Sequence, residues 1–121
     1  MSTQFQQARQ GHITDAMKCV AQAEGVDVQL ICDEIAAGRL VIPANKGHLA
    51  GNLVPAGVGR AVSVKVNANI GCSSVRSSLD GEIEKMQAAL DAGADAMMDL
   101  STGGDLDDIR QKLIARCPVM F

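Results

Sequence analysis

At 121 residues the chain is one domain at most, and with 47% hydrophobic residues it carries enough apolar mass for a core. Its formal net charge of −3 argues against a general phosphate-backbone binder, and two Phe with no Trp or Tyr argue against single-stranded nucleic acid, which binds through stacked aromatics. No apolar run approaches the roughly 20 residues that span a bilayer, and the polar stretch Met1–Gln10 is no secretory signal, so a cytoplasmic protein is expected.

Taken in order, Thr3 to Arg9 is a short helical candidate ending at Gly11. Thr14 suits the N-cap of a helix running to about Glu24, with Gly25 past its end and Met17, Val20 and Ala21 on one apolar stripe. Asp27 is placed to cap a second helix in which Val28, Ile31 and Ile35 share a face, and Gly38 ends it. Arg39-Leu40-Val41-Ile42 is a short strand stopped by Pro43. Ala44 to Gly59, rich in Gly, Asn and Pro, is expected to be loop. His48 within it is expected to be solvated, and His12, between two helices, structural or solvated.

Val62, Val64 and Val66 then alternate with Ser63, Lys65 and Asn67, a period of two that predicts a strand over Ala61 to Ile70. Ser78 is a natural N-cap for a helix whose Leu79, Ile83, Met86 and Leu90 fall on one face, with Gly93 past its end. Asp80, Glu82 and Glu84 put negative charge near that helix's N-terminus, where the dipole favours it. Ala94 to Leu100 is a second strand, apolar enough to suit a parallel sheet covered on both faces. Asp105 caps a last helix with Leu106, Ile109 and Leu113 inward. Pro118 prevents its extension, and Val119-Met120-Phe121 begins a third strand.

The order is therefore a helical segment with a short strand and loop, residues 1–60, followed by β-α-β-α-β over 61–121. Such alternation gives a parallel sheet in an α/β protein. Pattern alone leaves an open doubly wound sheet and a (β/α)₈ barrel both standing. The cysteines, Cys19, Cys32, Cys72 and Cys117, show no C-x-x-C spacing and are expected to be free, largely buried thiols.

Ligand chemistry in such folds gathers at the C-terminal ends of the strands. Asn67 and Asn69 are two apart and share one side of the pleat. Each amide offers a donor and an acceptor, which suits a polar heterocycle or a ribose, or else braces the loop. Asp99 is expected to accept loop N–H bonds rather than to orient a substrate group. Ser101-Thr102-Gly103-Gly104-Asp105 precedes a helix, so it reads either as a phosphate cradle of backbone N–H groups or as a tight βα turn with an N-cap. Lys65 has the parity of Asn67, and an inward ammonium there needs a partner such as Asp95 or Asp99.

Lys65-Val66-Asn67-Ala68-Asn69-Ile70-Gly71, the run Gly93 to Gly104 and Val41-Ile42-Pro43-Ala44-Asn45 together resemble the phosphomethylpyrimidine synthase (ThiC) family, and the resemblance covers nearly the whole chain. It implies the barrel: about two βα units and the start of a third strand, preceded by a small helical segment. A complete (β/α)₈ barrel takes about 250 residues, so an incomplete, N-terminal part of a longer protein is expected. The resemblance assigns substrate contacts to Asn69 and Met98 and puts a family His at His48, while the residue pattern itself sets Asn67, Asp99, Ser101, Thr102 and Gly103 behind them or around a phosphate. The catalytic residues are left unassigned, and no metal ligand is expected in this stretch.

The activity implied is that of a radical S-adenosylmethionine carbon–carbon lyase. The family converts 5-aminoimidazole ribonucleotide to 4-amino-5-hydroxymethyl-2-methylpyrimidine phosphate in thiamine biosynthesis. It implies S-adenosylmethionine, a [4Fe–4S] cluster held by a C-terminal Cys-x-x-Cys-x-x-x-x-Cys motif, and a zinc-like metal held by His residues. That motif is not in this sequence, so the chain alone is expected to be inactive. The implied partners are the small-molecule substrate and a second subunit of a homodimer, with neither nucleic acid nor membrane. Cys72 and Gly81 depart from the Thr and the acidic residue common in the family. The alternatives are a fragment of the paralogous 5-hydroxybenzimidazole synthase, or a non-catalytic truncated module.

Overall fold

The computed structural model describes residues 2–75 and 78–121, and among them six helices and four strands form a mixed α/β protein with no closed barrel. The chain folds as two compact units. One takes the residues up to Ala44 together with Pro55–Val64, the other Asn45–Val54 together with Lys65–Phe121.

The first unit holds α1 (Gln4–Arg9), α2 (Asp15–Glu24), α3 (Val28–Ala36), β1 (Leu40–Val41) and β2 (Val58–Gly59). Its helices start where short polar side chains satisfy the first free N–H groups. Thr3 and Gln6 form a reciprocal capping box, Thr14 accepts from the Met17 N–H, and Asp27 accepts from the Gln29 N–H. Gly25 closes α2 with φ of 66°, which an L side chain rarely adopts. Met17, Val20, Ile31, Ile35 and Leu40 form the core, with the Cys32 thiol buried among them. At the end of α3 the Arg39 guanidinium forks onto Glu34 at 2.6 and 3.0 Å, and this hydrogen bonding holds the Glu34 carboxyl below its ordinary range against the opposing effect of burial.

Two expectations fail here. The stretch 44–59 is not all loop: it contains α4 (Lys46–Leu49) in the second unit and β2, which pairs antiparallel with β1 through Leu40–Gly59 and Val41–Val58. The alternation over 62–66 is not a strand face either. Val62 packs on the first core, but Val64 is 92% exposed and Val66 59% exposed. The Ser63 N–H and Oγ both bond to the Glu24 carboxylate, so the backbone there is tied to a side chain instead of a neighbouring strand.

In the second unit β3 (Asn67–Ile70), α5 (Leu79–Asp91), β4 (Ala96–Asp99) and α6 (Leu106–Ile114) follow in order. β3 and β4 pair parallel, and Met120 adds a parallel bridge to Ala96. Ser78 and Asp105 cap the two helices as expected. Ile70, Met97, Met86, Ile109, Leu113 and Cys117 form the core between sheet and helices. The expectation that the sheet is covered on both faces is not met within this unit: Met98 is 49% and Leu100 54% exposed. The apolar run over 94–100 thus carries one buried and one open face.

Leu113 has no exposure. Leu113→Ala is expected to destabilise the fold by about 2–5 kcal/mol, because the methyl groups removed leave a cavity. Thr14→Ala, which removes the α2 cap and the hydroxyl's bond to the Gln4 Oε1, is expected to lose about 1–2 kcal/mol. Denaturant titration of the two variants checks the order.

Candidate functional site

The site is built at the C-terminal ends of β3 and β4. Their parallel register sets Asn67 opposite Ala96, Ala68 opposite Met97, Asn69 opposite Met98 and Ile70 opposite Asp99. Parity then sorts the side chains. Ala68, Ile70 and Met97 pack with the helices, while Asn67, Asn69 and Met98 are exposed. Asn69 and Met98, the two residues singled out for substrate, are therefore direct neighbours across the ladder. The Asn67 Nδ2 donates to the Asn69 Oδ1 at 3.0 Å, so the two amides also brace one another.

Asp99 has the opposite parity to Met98 and only 6% side-chain exposure. Its Oδ2 accepts from the Arg110 Nε at 2.6 Å, and its Oδ1 accepts from the Ser101 N–H at 2.9 Å and from the Ser101 hydroxyl. Burial alone would raise the Asp99 pKa, but the bonds from Ser101 and Arg110 outweigh it, and the carboxyl sits below its ordinary range. The bracing role expected for Asp99 agrees with this geometry.

Beyond the strands the two loops continue the ladder. The Leu100 N–H donates to the Ile70 carbonyl and the Thr102 N–H to the Cys72 carbonyl, both at 2.8 Å. The Cys72 N–H donates to the Ser101 Oγ at 2.9 Å. A Cβ on Gly103 would stand 2.7 Å from the Ser73 carbonyl carbon and the Ser74 nitrogen, so only glycine permits this approach. The Ser101 and Thr102 N–H groups are thus already bonded within the protein, and Asp105 caps α6 by accepting from the Asp108 N–H. A phosphate cradle built on those two N–H groups is closed, and the run serves as a βα turn. Asp95, a partner considered for Lys65, accepts from the Val66 N–H at 2.8 Å.

One residue departs from expectation, and another has a setting the sequence reading did not include. His48 is buried at 8% exposure, not solvated, with Nε2 2.6 Å from the Cys117 carbonyl. The Asn45 cap at the start of α4 aims it there, accepting from the Gly47 and His48 N–H groups. Glu82, read from the sequence only as negative charge favoured by the α5 dipole, is 3% exposed; it accepts from the Gly71 N–H at 2.8 Å and pairs with Lys85 at 2.5 Å. The signal was present: Glu82 lies three residues after Leu79 and four before Met86, on the apolar face of α5. Nothing in the pattern pointed to Arg110. A cleft of about 560 Å³ opens beside Gly71, Ser78, Glu82 and Lys85, and neither Asn69 nor Met98 lines it. His12 is exposed, 3.1 Å from the Gln7 amide oxygen, as expected.

The cysteines do not fit an iron–sulfur cluster. Cys19 and Cys32 belong to one unit, Cys72 and Cys117 to the other, and all four are free. Among the described residues no group of three or more His, Cys, Asp or Glu side chains is placed to hold a metal ion, and no helix is long and apolar enough to cross a membrane.

Parallel strands joined through helices, with an amide and a thioether paired and exposed near their C-terminal ends, define an α/β protein whose sheet presents a mixed polar and apolar face. The family model for the radical SAM ThiC family matches residues 3–121, and the chain belongs to that family. It is 52% identical over 116 residues to the phosphomethylpyrimidine synthase of Moorella thermoacetica, covering 96% of this chain and 26% of that protein. It is 50% identical over 117 residues to the enzyme of the same name from Caldanaerobacter subterraneus subsp. tengcongensis, covering 97% of this chain and 27% of the relative. Over 119 residues it is 50% identical to that of Natronomonas pharaonis, covering 98% and 24%. The chain thus spans about a quarter of the length of these curated relatives.

Because the Asp99 carboxyl is lowered, its stabilisation is fully present above the ordinary carboxylate pKa and is lost as pH falls through its folded value. Asp99→Asn is expected to remove about 1–3 kcal/mol at pH 7. The difference from the parent should narrow below about pH 4. Thermal melts across pH check both statements.

Proposed function

We propose that the chain contributes one wall of the substrate site of a phosphomethylpyrimidine synthase. The whole enzyme converts 5-aminoimidazole ribonucleotide to 4-amino-5-hydroxymethyl-2-methylpyrimidine phosphate, acting as a radical S-adenosylmethionine carbon–carbon lyase in thiamine biosynthesis. The observation that carries this reading is the register pair Asn69–Met98, exposed side by side at the ends of two parallel strands. Family membership supports the chemistry, and the names of the relatives support the product.

In this reading β3-α5-β4-α6 and the Met120 bridge are the first part of a (β/α)₈ barrel, occupying 61–121, and residues 1–60 are the segment that precedes it. Asn69 offers its amide to the polar edge of the imidazole or to the ribose, and Met98 lies against the ring. Asn67 steadies Asn69 through its Nδ2. Asp99, Ser101, Thr102 and Gly103 hold the loop behind them. The cluster that cleaves S-adenosylmethionine and the His-bound, zinc-like metal draw their ligands from sequence outside this chain. The whole enzyme is taken as a cytoplasmic homodimer; the charge of −3 and the scarcity of aromatics support the absence of a nucleic-acid partner.

The test is steady-state kinetics on the whole enzyme. Asn69→Ala and Met98→Ala are each expected to raise KM for the imidazole ribonucleotide by about tenfold or more, with melting temperatures close to the parent because both side chains are exposed in the unit. Unchanged KM in both variants would refute the assignment. The 121-residue chain alone is expected to give no product when supplied with S-adenosylmethionine, reductant and substrate; turnover by it would overturn the view that the reactive centre lies elsewhere.

A further inference from the structure

A carboxylate at 3% exposure is rarely tolerated without a defined partner. Glu82 has two: the Gly71 N–H at 2.8 Å and the Lys85 ammonium at 2.5 Å. Lys85 in turn donates to the Gly71 carbonyl at 3.2 Å. One helical turn of α5 therefore holds Gly71 by both its N–H and its carbonyl.

Gly71 comes two residues after Asn69. On its other side the backbone is pressed against the loop after β4: a Cβ on Gly71 would stand 2.8 Å from the Leu100 carbonyl carbon and the Ser101 nitrogen. The exit of β3 is thus clamped between α5 and the neighbouring loop. The Ile70 and Cys72 backbone groups are bonded to that loop through Leu100, Ser101 and Thr102. Gly71 is the point where the strand end is fixed to a charged pair on a helix, and hydrogen bonds to ionised groups are stronger than neutral ones.

We propose that Glu82, together with Lys85, is a positioning residue that sets the exit of β3 and hence the direction of the Asn69 amide. The proposal rests on the assignment of Asn69 to the substrate site. Removing the carboxylate lets the Gly71 peptide turn, and the amide two residues earlier loses its fixed aim. Glu82 itself touches neither substrate nor cofactor.

The experiment is a double-mutant cycle in the whole enzyme, with KM and kcat for the imidazole ribonucleotide. Glu82→Ala is expected to raise KM about tenfold with a smaller change in kcat. Glu82→Gln, whose amide oxygen still accepts from the Gly71 N–H, is expected to recover most of that loss. In the Asn69→Ala background Glu82→Ala is expected to add nothing further to KM. Equal fold-changes in both backgrounds, or Glu82→Gln as poor as Glu82→Ala, would overturn the proposal. If Glu82→Ala does not fold, Lys85→Met runs the same cycle: a rise of about threefold in KM, absent beside Asn69→Ala, supports the clamp, and no rise or an additive one refutes it. A normal KM in Asn69→Ala removes Asn69 from the substrate site and the proposal with it, whereas a raised KM there with normal KM in Glu82→Ala removes the proposal alone.

Discussion

The second unit depends on one constraint: the parallel register of β3 and β4 must hold beyond the strands themselves. Four residues on each strand make a short ladder. It is extended by Leu100 to Ile70, by Cys72 to Ser101 and by Thr102 to Cys72, and these bonds need backbones closer than a Cβ allows at Gly71 and Gly103. A slip of one residue would exchange the faces of every side chain. Met98 would turn toward the helices, and Asp99, with its bonds to Arg110 and Ser101, would be left on the open face.

That constraint explains why Met98 and Asp99, adjacent in sequence, have such different surroundings. Asp99 gathers a guanidinium, a hydroxyl and a backbone N–H on the buried side. Desolvation opposes the ionised form, and these donors together more than offset it. The ion pair is useful less for its strength than for where it acts. It joins α6 and the loop after β4 to the residue beside Met98.

Much of this architecture was legible because local chemistry decided it. Thr14, Asp27, Ser78 and Asp105 are short polar side chains ahead of apolar periods, and each caps a helix as read. The parity of Asn67 and Asn69 follows from the pleat alone. What was not legible depends on distant partners. Val64 and Val66 alternate like a strand, but the Glu24 carboxylate, 39 residues before Ser63, takes the backbone that a neighbouring strand would need. Asn45 was read as part of a loop because its cap serves only one helical turn. His48 looked solvated because its partner, the Cys117 carbonyl, lies 69 residues away. Glu82 is a different case: its place among Leu79, Ile83 and Met86 was readable, but the helix-dipole argument gave a sufficient reason for an acid there and hid the second one.

The open face of the sheet carries amides at Asn67 and Asn69 beside the half-exposed Met98 and Leu100. A surface made only to pack would be apolar throughout, since an amide buried without a partner is costly. On the proposed assignment, this mixed face meets a ligand that is itself half polar ring edge and half apolar ring plane. The bond from Asn67 to Asn69 fits the same view, because an amide already held by its neighbour loses little freedom when a ligand arrives. Preorganisation of this kind requires a rigid strand end, and a four-residue strand has little rigidity of its own. It must come from Gly71, Glu82 and the loop bonds beyond.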